Sequence, residues 1–180
     1  LSYQSLPVVK IGITNANYYD SGVLVFNWVQ LPMEEELLEK QLSAFEIGKD
    51  ECLVLEIQAP FKCTFEKDLD IFELNRKLTK LGSINPEILK AISEYDTLSL
   101  MSIIDIALKK KYVIYENVAN EEDLGRKLFL ENRLPFNIPK NLVKYIDFKA
   151  VGHDACLKNS IHFIPELNIA ETIYLEDKSA

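Results

Sequence analysis

Apolar residues recur with two different periods in this chain, and the change from one to the other comes at Asp70. Before it, Cys52 to Gln58 alternates Leu53, Leu55 and Ile57 against Val54 and Glu56, the period of a strand. After it, Ile71, Leu74, Leu78 and Leu81 recur at helical spacing behind Asp70, a capping residue with Glu73 three positions on, and Gly82 closes the helix. A chain that switches period in this way divides into an α/β part and a helical part. Lys10 to Thr14 and Val23 to Leu31 read as a hairpin turned by Asp20-Ser21-Gly22. Met33 to Ala44 then reads as a helix with Leu37, Leu38, Leu42 and Phe45 on its apolar side, stopped by Gly48. Asn85-Pro86 opens a second helix of the middle part, and Asp96 or Thr97 a third. Alternation returns at Tyr112 to Val118, Asn120 caps a helix built on Leu124, Leu128 and Phe129, and Ser160 to Ile164 with Ala170 to Leu175 forms a last hairpin. The expected class is α+β, in three modules: an N-terminal α/β domain over 1–65, a helical middle domain over 66–109 and a C-terminal α+β domain over 110–180.

Charge limits what such a chain can bind. Twenty Lys and Arg against 28 Asp and Glu give a net charge of −8, which argues against direct contact with nucleic acid and for a basic protein groove. Three widely spaced cysteines, Cys52, Cys63 and Cys156, fit reduced thiols in a cytoplasm, and no apolar run reaches the roughly 20 residues that span a bilayer. His153, Asp154 and Cys156 are adjacent only in sequence and lack a nucleophile motif, and two histidines are too few for a zinc site, so neither an enzyme nor a cofactor is expected. Lys109 to Lys111 complements a helix C-terminus.

Leu134 to Asp154 reads as a loop, a helix begun at Pro139 and carrying Leu142, Tyr145, Ile146 and Ala150, and a further helical turn cut by Gly152. The phrase Ile138 to Asp154, I-P-x-x-L-x-x-Y-I-D-F-x-A-x-G-x-D, resembles the C-terminal signature of ArdA-type antirestriction proteins. Two more phrases fall in the family's order: Ala16 to Leu24 followed by Trp28 and Leu31-Pro32, and Ile71 to Arg76, which is similar to the family's I-x-E-L-N-R. The resemblance implies three modules strung in a row, dimerisation through the last, and carboxylates placed like phosphates that occupy the DNA groove of a Type I restriction-modification enzyme, at its methyltransferase core. In that reading Leu142, Tyr145, Ile146, Asp147, Gly152 and Asp154 are signature or dimer residues. Family members are usually more acidic than this chain, and His153 stands where the family carries arginine.

Duplex DNA presents one charge per ~1.7 Å, so one turn needs roughly 20 charges. A net charge of −8 meets that requirement only if the acids gather on one face. The candidates are Asp20, Glu34, Glu35, Glu36, Glu39, Glu46, Asp50 and Glu51, then Glu66, Asp68, Asp70 and Glu73, and Glu121, Glu122 and Asp123. Glu34 to Glu36 and Glu121 to Asp123 have a simpler reading as helix first turns stabilised by the dipole. Trp28, Tyr18 and Tyr19 either close a small core or mark a partner surface. The alternative function is an interaction or structural protein of the same fold that does not mimic DNA.

Overall fold

A computed structural model describes residues 3–23 and 25–174. The fold is α+β, and its contacts gather into two units, Leu1–Lys110 and Lys111–Ala180.

In the first unit a three-stranded antiparallel sheet has the order β2-β1-β3, with β1 at Val9–Asn15, β2 at Asn27–Leu31 and β3 at Cys52–Gln58. Ile11, Ile13, Val29 and Leu31 are buried on its inner side, and Leu38 and Leu42 of α2 (Glu35–Ala44) are buried with them. A bulge at Gly12/Ile13 pairs Gly12 with Glu56 and Ile13 with Val54, which leaves Leu55 outside the ladder. For that reason Val54, and not the expected Leu53, is the fully buried residue of β3. The expected loop between the first two strands contains a short helix, α1 (Ala16–Asp20), because the Asn15 side chain caps Asn17 N–H at 2.9 Å.

Helices α3 (Ile71–Leu81), α4 (Pro86–Tyr95) and α5 (Leu100–Leu108) follow, with α5 packed against both others. Asp70 accepts hydrogen bonds from Phe72 and Glu73 N–H, and Gly82 closes α3 at φ 62°. The third helix opens at Ser99 and not at Asp96 or Thr97. Thr64 pairs with the extended backbone there, accepting from Leu100 N–H at 2.9 Å and donating to Leu98 C=O at 3.0 Å.

Helix α2 ends at Ala44 as expected, but it starts later and Gly48 is not what stops it. Met33 lies outside it, because both of its backbone groups bond the Asn75 carboxamide: Met33 N–H donates to Oδ1 at 2.9 Å and Asn75 Nδ2 donates to Met33 C=O at 2.8 Å. The helix stops four residues before Gly48. Glu46 adopts a left-handed φ of 57°, its N–H reaching Ser43 C=O and that of Ile47 reaching Leu42 C=O. Leu37, expected on the apolar side, is exposed.

The second unit has a sheet of order β4-β6-β5, with β4 at Tyr112–Glu116, β5 at His162–Ile164 and β6 at Ile169–Ile173. Leu175, expected in the last strand, lies outside the described residues. Helices α6 (Glu121–Leu130) and α7 (Phe148–Asn159) cover this sheet around Tyr115, Val118, Leu124, Leu128, Ile161 and Ala170. Gly152 does not cut a helix. It lies inside α7 and lets α6 approach: a Cβ there would sit 1.8 Å from Glu121 C=O, and one on Gly125 would sit 1.9 Å from Phe148 C=O. The Pro139 segment is a 3-10 turn at Lys140–Tyr145, and its expected packed stripe faces water: Leu142, Tyr145 and Ala150 are exposed and Ile146 is half-buried.

Replacing Asn75, only 2% exposed, by alanine leaves two backbone groups of Met33 without partners. The expected loss is about 2–4 kcal/mol in urea unfolding, with Asn75→Asp also destabilising because it has no N–H to offer Met33 C=O.

Candidate functional site

Two small motifs bring the carboxylates of the first unit together. In Leu74-Asn75-Arg76, Leu74 is buried, Asn75 holds Met33, and Arg76 reaches Glu35 of α2 at 3.4 Å. In Asn15 to Tyr18, Asn15 Nδ2 donates to Glu46 C=O at 2.7 Å and to Glu51 Oε2 at 3.3 Å. Asn17 Nδ2 donates to Glu51 Oε1 at 3.1 Å, and Tyr18 O–H donates to Glu46 Oε2 at 3.0 Å.

The candidate acids of this unit therefore fall into three physical kinds. Glu35, Glu39 and Glu73 pair with Arg76, Lys49 and Lys77, so their charge is locally cancelled. The Glu39 contact raises the ammonium pKa of Lys49, and Asp105, with help from Glu73, does the same for Lys77. Glu46, Glu51 and Asp70 are held by neutral donors: amides, a phenol and backbone N–H groups. They are fixed in place with their charge intact, and the hydrogen bond to Glu46 pushes the Tyr18 phenol pKa up. Asp20, Glu34, Glu36, Asp50, Glu66 and Asp68 are exposed and make no side-chain hydrogen bond or ion pair among the described residues.

Glu35, Asp50, Asp68 and Asp70 line one groove of about 500 Å³, with Lys49 and Arg76 as its cations. Its apolar wall includes Cys52, Ile71 and Phe72, with Lys49 Nζ 4.7 Å from the Phe72 ring centre. Burial pushes the Cys52 thiol up to about 11, so it is neutral at ordinary pH. Seventeen acids face eleven bases over residues 1–110, against eleven and nine over 111–180. Most of the excess negative charge belongs to the first unit.

The model of the ArdA antirestriction protein family matches residues 11–167. The chain belongs to that family. No curated protein matches it. As an ArdA-family member it is an antirestriction protein, and its family function implies interaction with restriction-modification enzymes. No helix among the described residues is long and apolar enough to cross a membrane, and no group of three or more His, Cys, Asp or Glu side chains among them could hold a metal.

The ArdA signature near the C-terminus has a local explanation. Asp147 caps α7 by accepting from Ala150 N–H at 3.0 Å, and Gly152 provides the close approach of α6. Asp154 is exposed. Of the acids Glu121 to Asp123, Glu122 alone is paired with a lysine or arginine among the described residues. Glu121 meets His153 Nδ1 at 2.8 Å, Glu122 pairs with Arg126 at 2.6 Å, and Asp123 accepts from Ala119 N–H at 3.2 Å. His153 thus faces Glu121, while Cys156 packs against the unit's core.

Sequence reasoning missed Asn15, Asn17 and Asn75, which position the acids. For Asn15 and Asn17 the available signal was a pair of amide side chains at a strand end, and for Asn75 an amide four residues after Ile71, on the apolar side of α3. Glu46 occupies a conformation that costs a non-glycine residue about 1 kcal/mol or more. Glu46→Gly is expected to raise stability by about 0.5–1 kcal/mol in urea unfolding. A loss of stability would contradict this.

Proposed function

We propose that this antirestriction protein is a DNA mimic that competes with DNA for the binding groove of a Type I restriction-modification enzyme, at its methyltransferase core. The observation that carries the reading is the set of carboxylates in the first unit that no cation among the described residues neutralises: Asp20, Glu34, Glu36, Asp50, Glu66 and Asp68 have no side-chain partner there, and Glu46 and Glu51 are held by neutral donors. A groove built for phosphates offers lysine and arginine side chains, and exposed, uncompensated carboxylates satisfy them at little desolvation cost to the free protein. The ion-paired acids contribute less, because a partner cation must first be displaced. Incoming mobile DNA is protected while the groove is filled, in the cytoplasm where such enzymes act. The net charge of −8 is modest for a whole DNA turn, so the mimic matches a short stretch of phosphates with its first unit.

Homodimerisation through the C-terminal unit is part of the same proposal. Leu142 (46% exposed) and Tyr145 (74% exposed) lie in the signature stretch with their apolar surfaces in solvent, which supports a contact between copies. The finer division of the first unit at residues 65/66 into sheet and helical modules also belongs to this reading.

The test is displacement of a duplex from a purified Type I methyltransferase core. Displacement should fade as salt rises. Neutralising Glu34, Glu36, Asp50 and Asp68 together should weaken it by roughly ten- to thirty-fold at low salt and flatten its salt dependence. Neutralising the paired Glu35, Glu39 and Glu73 should cost much less. Displacement indifferent to salt and to the first set of changes would sink the proposal.

A further inference from the structure

The corner leading into β2 exposes four apolar side chains within six residues: Val23, Val25, Phe26 and Trp28, the last two each 40% exposed. We propose that this corner is an apolar anchor that docks into the enzyme's basic DNA-binding cleft, against the apolar or aromatic lining such clefts use to hold bases. The inference rests on the mimic reading above and adds to it a contact that does not depend on charge.

Three features separate this patch from incidental exposure. Phe26 and Trp28 meet edge to face, with ring centres 5.0 Å apart at 87°. The Phe26 ring is seated on Gly12 of the central strand, where a Cβ would lie 2.2 Å from it. A glycine in the middle of a strand weakens the strand, and here it makes the seat for an aromatic ring on the outer face. Last, Val23 N–H donates to Tyr18 C=O at 2.8 Å, so the start of the corner is tied to α1. The rings are held in advance of binding, which lowers the ordering cost of a contact.

The charges around the patch select the partner. Gly12 pairs with Trp28 on one side and Glu56 on the other, so the exposed Glu56 carboxylate lies in the same cross-strand row as the aromatics. At the start of the corner, Tyr18, whose C=O takes Val23 N–H, donates its O–H to Glu46, Asp20 ends the same helix, and Lys67 Nζ donates to the Tyr19 hydroxyl. The one base in the neighbouring row is Lys10, paired across the strands with Gln30 and Gln58. An apolar centre whose rim carries more acids (Glu56, Asp20, Glu46) than bases (Lys10, Lys67) fits a cleft with a basic rim and an apolar floor, the anatomy of an interface hot spot. Proteins that take hold of bases present such floors, stacking the base on aromatic side chains inside a positive groove. A second copy of this chain fits poorly, because a two-fold contact would set one net-acidic rim against another.

The experiment uses the full chain, a purified Type I methyltransferase core and a duplex carrying its recognition sequence. Trp28→Ala and the double variant Val23→Ser/Val25→Ser are compared with wild type at low and high salt, with thermal unfolding and light scattering as controls. Both variants are expected to lose about tenfold or more in displacement, with the wild-type salt dependence retained. Both displacing DNA as wild type does would overturn the anchor. So would a loss confined to a Trp28→Ala protein that has unfolded, while the valine variant competes normally, or a change of oligomeric state with competition intact. Wild type failing to displace DNA at either salt is a different failure: it removes the mimic reading before any variant is compared.

Discussion

The first unit depends on a buried carboxamide. Asn75 lies inside α3, and its two side-chain bonds go to the backbone of Met33, where the chain leaves the sheet and has not yet entered α2. Without it, a donor and an acceptor at that half-buried corner would lose their partners, since neither helix nor ladder includes them. The clasp also fixes the register of α2 against α3, which brings Arg76 to Glu35 and leaves Glu34 and Glu36 facing water. A sequence phrase that looked like a family label, Leu74-Asn75-Arg76, is therefore a packing residue, a backbone clasp and a charge pair in succession.

The same economy governs the acids. A chain with 28 carboxylates and 20 bases could cancel most of its own charge, and some acids do so in each unit, Glu122 with Arg126 and Glu35 with Arg76 among them. Other acids of the first unit are held differently. Amides and a phenol hold Glu46 and Glu51, and such donors immobilise a carboxylate without removing its charge. Beside them the sheet's outer face carries Phe26 and Trp28 on a glycine seat. A fixed negative surface next to a preorganised apolar corner has both parts of a selective interface: charge for steering and register, apolar area for retention.

Much of this was legible in the sequence, and the exceptions have physical causes. Helix starts were read from Asp70, Asn85 and Asn120 because a capping side chain acts on its own next turn. The start of α2 at Glu35 and of α5 at Leu100 was not legible, because Asn75 and Thr64, distant in sequence, hold the preceding backbone extended. Gly152 read as a break, since local propensity cannot see that a neighbouring helix needs the space. The packed stripe expected of Leu142 and Tyr145 failed for a related reason: a 3-10 turn does align residues three apart, but spacing cannot say whether anything covers the row they form, and here it faces solvent. The list of acids could be written from the sequence, but which of them keep their charge depends on partners such as Asn17 and Tyr18, some thirty residues away in the chain.

The central claim is that the protein and DNA occupy the same groove, and hydrogen-exchange footprinting on the methyltransferase core tests it most directly. The protected backbone segments of the enzyme would be mapped once with this protein bound and once with cognate duplex bound. The account predicts largely coincident protection, concentrated in lysine- and arginine-rich segments lining the groove. Protection elsewhere on the enzyme, with DNA still bound in a three-component complex, would contradict it.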